Sequence, residues 1–248
     1  MARRRFFVDS IKEGRAEISG EQAHHLGHVL RVEPGQHFEI SDNERVFLAA
    51  VETVGKSSVL FRTLEEIDVP ARPVHTILLA SLTKFERFEW MIEKATEIGV
   101  AKILPVVSER TEKGLDQAAG KRLARWQRIA REASEQSRRA QLPKIDSAIQ
   151  INRALETQAE YRYVLEEAVA EPIFNCLPLQ RTPADRVALF VGPEGGWTDR
   201  ERAALTAANW TAVSLGETIL RAETAAVAGL SIVHAAWAAA TKSEQWQR

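Results

Sequence analysis

The chain has 248 residues, 45% of them hydrophobic and 27% charged, with a net charge of −1. This is ordinary for a soluble globular protein large enough to bury a core, and any nucleic-acid partner must be met by a local cluster of cations. Cys176, the single cysteine, excludes an intramolecular disulfide and fits a reducing cytoplasm.

The opening residues lack the apolar run of a secretory signal. From Arg5 to about Ile67 the chain reads as short strands, at 6–8, 37–40, 46–51 and 59–63, separated by turn residues such as Glu33-Pro34-Gly35 and Ser41-Asp42-Asn43. Closely spaced strands of this kind predict a small barrel. Residues 20–31 read as one helix carrying His24, His25 and His28. His24 and His28 have metal-compatible spacing, but with no Asp or Cys partner nearby a packed or surface pair is expected, and no metal. Arg3-Arg4-Arg5 is either a solvated tail or a grip on phosphates.

The two prolines in 68–73 mark a linker, giving expected domains 1–70 and 74–248. Beyond it strands and helices alternate: a strand at 74–80, a helix at 84–98 with Phe85, Phe88, Ile92 and Ala95 on one face, and a stop at Gly99. Strands follow at 103–107, 161–165, 187–191 and 211–215. The alternation predicts an α/β domain with a mostly parallel sheet covered by helices. The helix expected at 121–139 carries Lys121, Arg122, Arg125, Arg128, Arg131, Arg138 and Arg139 against Glu132 and Glu135. Its apolar stripe of Leu123, Trp126, Ala130 and Ala133 turns those cations outward, as a solvated face or as a track for an RNA backbone. The last helix, 225–241, is apolar nearly all round, which predicts burial against a second subunit. It is alanine-rich and holds His234, so a membrane span is not expected.

The stretch 187–226 organises the second domain. Its strand stops at Gly192-Pro193, and Gly195 and Gly196 leave the backbone open to close approach. Thr198-x-x-Glu201 then opens a helix with a capping box. The next strand ends at Leu215-Gly216, and a loop passes Arg221 and Glu223 into the long helix. Two glycine-containing loops thus leave the ends of successive strands, the edge where open α/β sheets bind ligands. The chain has no G-x-G-x-x-G, which disfavours a Rossmann cofactor site.

Four blocks carry a family resemblance. They are Arg5-Phe6-Phe7 with His24-His25-Leu26 and Val29-Leu30-Arg31; Lys84 to Glu89-Trp90, Lys94-Ala95-Thr96-Glu97, Gly99 and Ser108-Glu109-Arg110; Glu132-Ala133, Glu135-Gln136-Ser137 and Arg139; and Gly192-Pro193-Glu194-Gly195-Gly196, Leu215-Gly216, Ile219-Leu220-Arg221 and Glu223-Thr224-Ala225. In order and spacing the chain resembles the ribosomal RNA small subunit methyltransferase E family of the SPOUT superfamily. The resemblance implies an N-terminal PUA-like β-barrel and a C-terminal SPOUT α/β domain with a deep trefoil knot. It also implies a cytoplasmic homodimer that binds S-adenosylmethionine and methylates N3 of a uridine in 16S ribosomal RNA of the small subunit. Alternative readings are a knotted methyltransferase for a ribose 2′-oxygen or a guanine, and a non-catalytic rRNA-binding assembly factor. The chain departs from the family pattern at Glu217-Thr218, and at Arg138, where glycine is common.

For the cofactor, Phe190, Val191, Gly192, Pro193, Glu194, Gly195, Gly196, Leu215, Gly216, Ile219 and Leu220 supply backbone groups and an apolar wall. Leu165, Arg221, Thr224 and Ala225 complete the expected set, and Glu166 either meets the ribose or is surface. Arg221 is the candidate cation for a uracil carbonyl, or else a structural partner of Glu223. Glu194 or Glu223 could take the N3 proton; either could equally cap a helix or offset the sulfonium. Phe85, Phe88 and Trp197 are candidates to receive an unstacked base, with core packing expected for Phe88. The expected RNA contacts are Arg3, Arg4, Arg5, Arg31, Lys84, Arg110, Arg125, Arg128 and Arg139.

Overall fold

The computed structural model describes residues 4–167 and 169–245, with side chains through residue 240. Arg3, among the expected RNA contacts, lies outside the described residues. The chain forms two units, Met1–Pro70 with Arg131–Leu142, and Ala71–Ala130 with Pro143–Arg248. The first unit therefore differs from the expected 1–70 by recruiting a distant segment. Polar contacts hold that segment: Arg131 donates to the Phe7 carbonyl (3.2 Å), Gln22 to Glu135 (2.6 Å), Ser41 Oγ to the Ala140 carbonyl (2.6 Å), and the Leu142 amide to Asn43 (2.7 Å). None of these pairings leaves a periodic signal in sequence.

In the first unit six strands run in the order β1-β4-β5-β6-β3-β2. They are β1 (Arg5–Phe7), β2 (Ile11–Lys12), β3 (Arg15–Ser19), β4 (His37–Ser41), β5 (Val46–Val54) and β6 (Ser58–Ile67). Pairing is antiparallel except between β1 and β4. The strands β2 and β3 were not foreseen. Phe6, Ile18, Leu26, Ile40, Val51 and Phe61 fill the core. The predicted helix is present as α1 (Gly20–His24) continued by a π-helical turn, His25–Val29. The His24 and His28 rings stack at 4.3 Å, and no metal-binding cluster occurs among the described residues.

The second unit is a parallel sheet in the order β10-β8-β7-β13-β11-β14-β12, with β9 added beside β8. Its strands are β7 (His75–Ser81), β8 (Lys102–Val107), β9 (Lys144–Ile145), β10 (Ile149–Gln150), β11 (Tyr161–Leu165), β12 (Glu171–Pro172), β13 (Arg186–Val191) and β14 (Thr211–Ser214). Its helices are α2 (Phe85–Ile98), α3 (Leu115–Ala119), α4 (Leu123–Gln136), α5 (Ile151–Ala154), α6 (Ile173–Cys176), α7 (Asp199–Ala207) and α8 (Ala222–Gln245), with α4 running on into the first unit after Ala130. Both faces of the sheet are covered, so its central strands read as unbroken apolar runs. Leu78, Leu189 and Leu165 join Phe88, Trp126, Leu230 and Trp237 on one face; Ile77, Leu79 and Phe190 join Trp197, Leu205 and Trp210 on the other. By length and hydropathy, Ala222–Ala240 is a segment that could cross a membrane. In the fold its Ala226, Leu230, Val233 and Trp237 are core residues, and its His234 Nε2 lies 3.0 Å from Thr76 Oγ1.

The basic helix is shorter than predicted and less free. It ends at Gln136, before Arg138 in the left-handed region (φ 55), and a 3₁₀ turn precedes it. Arg125 grips Glu89 with two hydrogen bonds (2.8 and 2.9 Å), and Arg122 joins at 3.3 Å. With Arg131 on the Phe7 carbonyl, Arg138 on Glu39 and Arg139 on the Gln141 carbonyl, at least five of the seven cations have protein partners, so the outward track is reduced.

Candidate functional site

Three neighbouring strands, β13, β11 and β14, end on one edge of the sheet, and the loops that follow enclose a cavity of about 430 Å³. This is the carboxyl edge at which parallel sheets bind ligands, and the volume falls in the range of about 300–1,000 Å³ usual for cofactor clefts. The floor comes from Leu165 and Val191, the walls from 192–194, 196–197 and 214–221, and the closing end from Ala222 and Ala225 of α8. The two glycine-containing loops were expected to leave adjacent strands. Instead β11 lies between β13 and β14 and adds a third loop.

Local sequence sets each wall. A Cβ on Gly192 would stand 3.0 Å from the Trp197 ring, so glycine there lets the loop fold over its own indole without displacing the ring. Trp197 is buried, and its Nε1 donates to the Leu165 carbonyl at 2.9 Å. The expected capping box is present: Thr198 Oγ1 accepts from the Glu201 amide, and the Glu201 carboxylate accepts from the Thr198 amide.

Of the expected cofactor residues, Leu165, Glu166, Val191, Gly192, Pro193, Glu194, Gly196, Leu215, Gly216, Ile219, Leu220, Arg221 and Ala225 line the cavity. Four expected site residues do not. The Phe190 ring points to the opposite face of the sheet, packed on Trp197 and Trp210 (centroids 4.9 and 5.4 Å), because side chains alternate along a strand. The Gly195 carbonyl is taken by Arg110 (2.5 Å). Thr224 is exposed on α8. Glu223, expected as a catalytic carboxylate, is buried in the first turn of α8 and outside the lining, since one residue turns a helix by about 100° from Ala222. The lining adds Arg87, Glu167, Trp197, Ser214, Glu217, Thr218 and Ala222. Of these only Trp197, directly after the glycine pair, had a visible signal.

Two of the lining carboxylates are held by arginines, and one lining cation makes no ion pair among the described residues. Glu166 binds Arg202 through both oxygens (2.8 and 3.1 Å), and this hydrogen bonding raises the Arg202 pKa. It is thus more than a surface residue, and its charge is already partly matched. Glu194 pairs with Arg87 at 2.7 Å. Arg221 is exposed at the rim and makes no ion pair among the described residues, so the alternative of a structural Arg221–Glu223 pair is not what the fold adopts. As receptors for a base, Phe88 and Trp197 are ruled out by burial, while Phe85 is half-buried beneath Arg122.

Residues 70–234 match the family described as RNA methyltransferase domain, and residues 18–64 the RNA methyltransferase PUA domain. Ribosomal RNA small subunit methyltransferase E of Mycobacterium bovis is 36% identical over 239 residues, covering 92% of this chain and 90% of that one. The chain belongs to the ribosomal RNA small subunit methyltransferase E family. A Legionella pneumophila methyltransferase solved with its bound cofactor S-adenosylmethionine superposes with a TM-score of 0.87 at 29% identity, over 95% of this chain and 98% of that one. A Neisseria gonorrhoeae ribosomal RNA small subunit methyltransferase E bound to S-adenosylmethionine gives 0.85 at 29%, with the same coverage.

The cavity of this methyltransferase E chain fits that cofactor. Leu165, Val191, Leu215 and Leu220 offer apolar surface for an adenine face, loop backbone offers edge partners, and the carboxylates of Glu167, Glu194 and Glu217 favour a cationic sulfonium. Ile219 is 75% exposed at the rim, an apolar side chain that a guest would cover.

The expected RNA cations fall into two groups. Arg4 and Arg31 are exposed on the first unit, and Lys84, Arg110 and Arg128 on the second. Arg5, by contrast, is 5% exposed, with its guanidinium on Glu39 (2.8 and 3.1 Å) and the Arg138 carbonyl (2.6 Å), which takes it out of reach of a phosphate. Arg139 donates to the Gln141 carbonyl (3.1 Å), and Arg125 is held by Glu89.

Proposed function

We propose that this chain transfers a methyl group to N3 of a uridine in 16S ribosomal RNA of the small subunit, with S-adenosylmethionine as donor. The observation that carries the reading is a cofactor-sized cavity with, at its rim, an arginine that makes no ion pair among the described residues, in a chain matched along nearly its whole length by methyltransferase E relatives. When bound, the cofactor supplies a sulfonium methyl group and leaves as a neutral thioether, while the N3 proton is released. The protein's part is to orient and to stabilise charge. Uracil N3 is a poor nucleophile until deprotonated, and the anion spreads onto O2 and O4. Arg221 is assigned to one of these oxygens, where a preorganised cation lowers the barrier. Glu194, which lines the wall and pairs with Arg87, is the carboxylate proposed to take the proton.

In the same reading the chain is a cytoplasmic homodimer, with a PUA-like barrel at residues 1–70 that binds RNA and a knotted methyltransferase domain at residues 74–248. The exposed stripe of Thr224, Ser231, Ala235 and Ala239 on α8, small enough for close helix approach, supports the dimer. Convergence of the loops after β11, β13 and β14 on one cavity supports the knot. Arg4, Arg31, Lys84, Arg110 and Arg128 are the cations proposed for RNA. Purified protein, small subunits from a strain lacking the gene, and labelled S-adenosylmethionine test the reading by nucleoside mass spectrometry. N3-methyluridine is expected. Label on a ribose or guanine, or on no nucleoside, overturns it.

A further inference from the structure

A second, smaller cavity of about 60 Å³ lies beside the first, and the two share Pro193 and Glu194. Thr83, just past β7, lines it. Thr83 is 3% exposed, yet its Oγ1 has no hydrogen-bond partner among the described residues. Nearby hydroxyls at the same strand ends are satisfied: Ser81 Oγ meets Ser108 Oγ at 2.5 Å, and Thr111 Oγ1 accepts from the Ser108 amide at 2.9 Å. A buried hydroxyl left unpaired is a cost to the fold, and such groups mark a role outside it. The other walls are the apolar Leu82, Leu115 and Pro193 and the carboxylates of Glu112 and Glu194, while the exposed cations Lys84 and Arg110 stand at the edge.

We infer that this cavity seats the edge of the target uracil, and that Thr83 Oγ1 donates a hydrogen bond to one of the carbonyls flanking N3. This rests on the proposed function and adds a residue to it. The chemistry matches on three counts. The volume admits the edge of one flat ring. Apolar walls suit the faces of a flat ring, and cations at the mouth suit the flanking phosphates. A hydroxyl donor strengthens its bond as charge builds on the carbonyl during loss of the N3 proton. With Arg221 on the cofactor side, each carbonyl beside N3 then has its own donor.

Thr83→Val tests this, because it keeps the shape and removes only the hydroxyl. Three quantities are read: melting temperature, calorimetric affinity for S-adenosylmethionine, and methylation kinetics on small subunits. The variant should melt no lower than wild type, since the lost group had no partner. It should bind the cofactor within about twofold and lose about 10–100-fold in kcat. Thr83→Ser, which retains the donor, should stay within about threefold of wild type in kcat. Wild-type kcat in Thr83→Val overturns the inference and leaves the proposed function standing. A lowered melting temperature or cofactor affinity in Thr83→Val also overturns it, because the hydroxyl would then serve the fold. A wild-type protein that methylates no uridine removes both readings together.

Discussion

The Trp197 indole donates to the Leu165 carbonyl at 2.9 Å, fastening the loop after β13 to the end of β11. One side chain thereby braces two of the three cavity walls. Trp197→Phe keeps most of the ring but leaves that carbonyl unpaired. Stability should fall by about 2–3 kcal/mol in urea unfolding, and cofactor affinity by roughly tenfold in calorimetry, since the walls lose their mutual hold. Unchanged affinity would mean that the walls are set independently.

Arg221 separates binding from chemistry. Arg221→Ala should weaken S-adenosylmethionine by less than about fivefold and lower kcat by about 10²–10³, the usual loss for one charge-stabilising donor. Equal losses in both would make the arginine a cofactor clamp.

Gly229 lets α8 pack closely on the sheet: a Cβ there would lie 2.7 Å from a Leu189 methyl in the core. Gly229→Val should cost at least about 2 kcal/mol by overpacking. Equilibrium unfolding measures the loss, and a neutral substitution would mean that α8 can ride further from β13.

Glu135 carries a pH signature. Burial lifts its carboxyl from 4.5 to about 7, against the lowering pull of the Phe7 amide. The folded protein thus holds a proton that the unfolded chain has released. This contribution to stability is whole below pH 4.5 and lost as pH rises through 7. Glu135→Gln should match wild type near pH 4.5 and exceed it by up to about 3 kcal/mol at pH 8 in urea unfolding. Parallel curves for the two proteins would contradict the burial argument.

Much of the second unit was legible because its elements are periodic. The predicted α2 differs by one residue at its start, and its stop at Gly99 has the left-handed backbone (φ 117) that such a stop requires. The glycine loops and the Thr198 capping box were equally local. What escaped depends on partners far away in sequence. Nothing near Arg5 announces Glu39, so a cation at the head of the chain read as free when it is buried in an ion pair that Arg138 also joins. The strands β9, β10 and β12 have two residues each, too few for any pattern. Two misses had a signal available. Alternation along 187–191 already placed Phe190 opposite Val191. The glycine common at position 138 in the family already indicated a backbone that leaves the helix there, and arginine adopts that φ of 55 while binding Glu39.

The large cavity takes its lining from Arg87 at one extreme and Ala225 at the other, with Leu165, Val191 and Ser214 between. No contiguous fragment that stops short of α8 contains it. A ribosome still translating this chain could therefore have released all six strands of the first unit, and most of the parallel sheet, with nowhere yet for a nucleoside to lodge. Binding of the methyl donor thus waits on the start of α8, and a product truncated before it would be silent towards RNA rather than wrongly active.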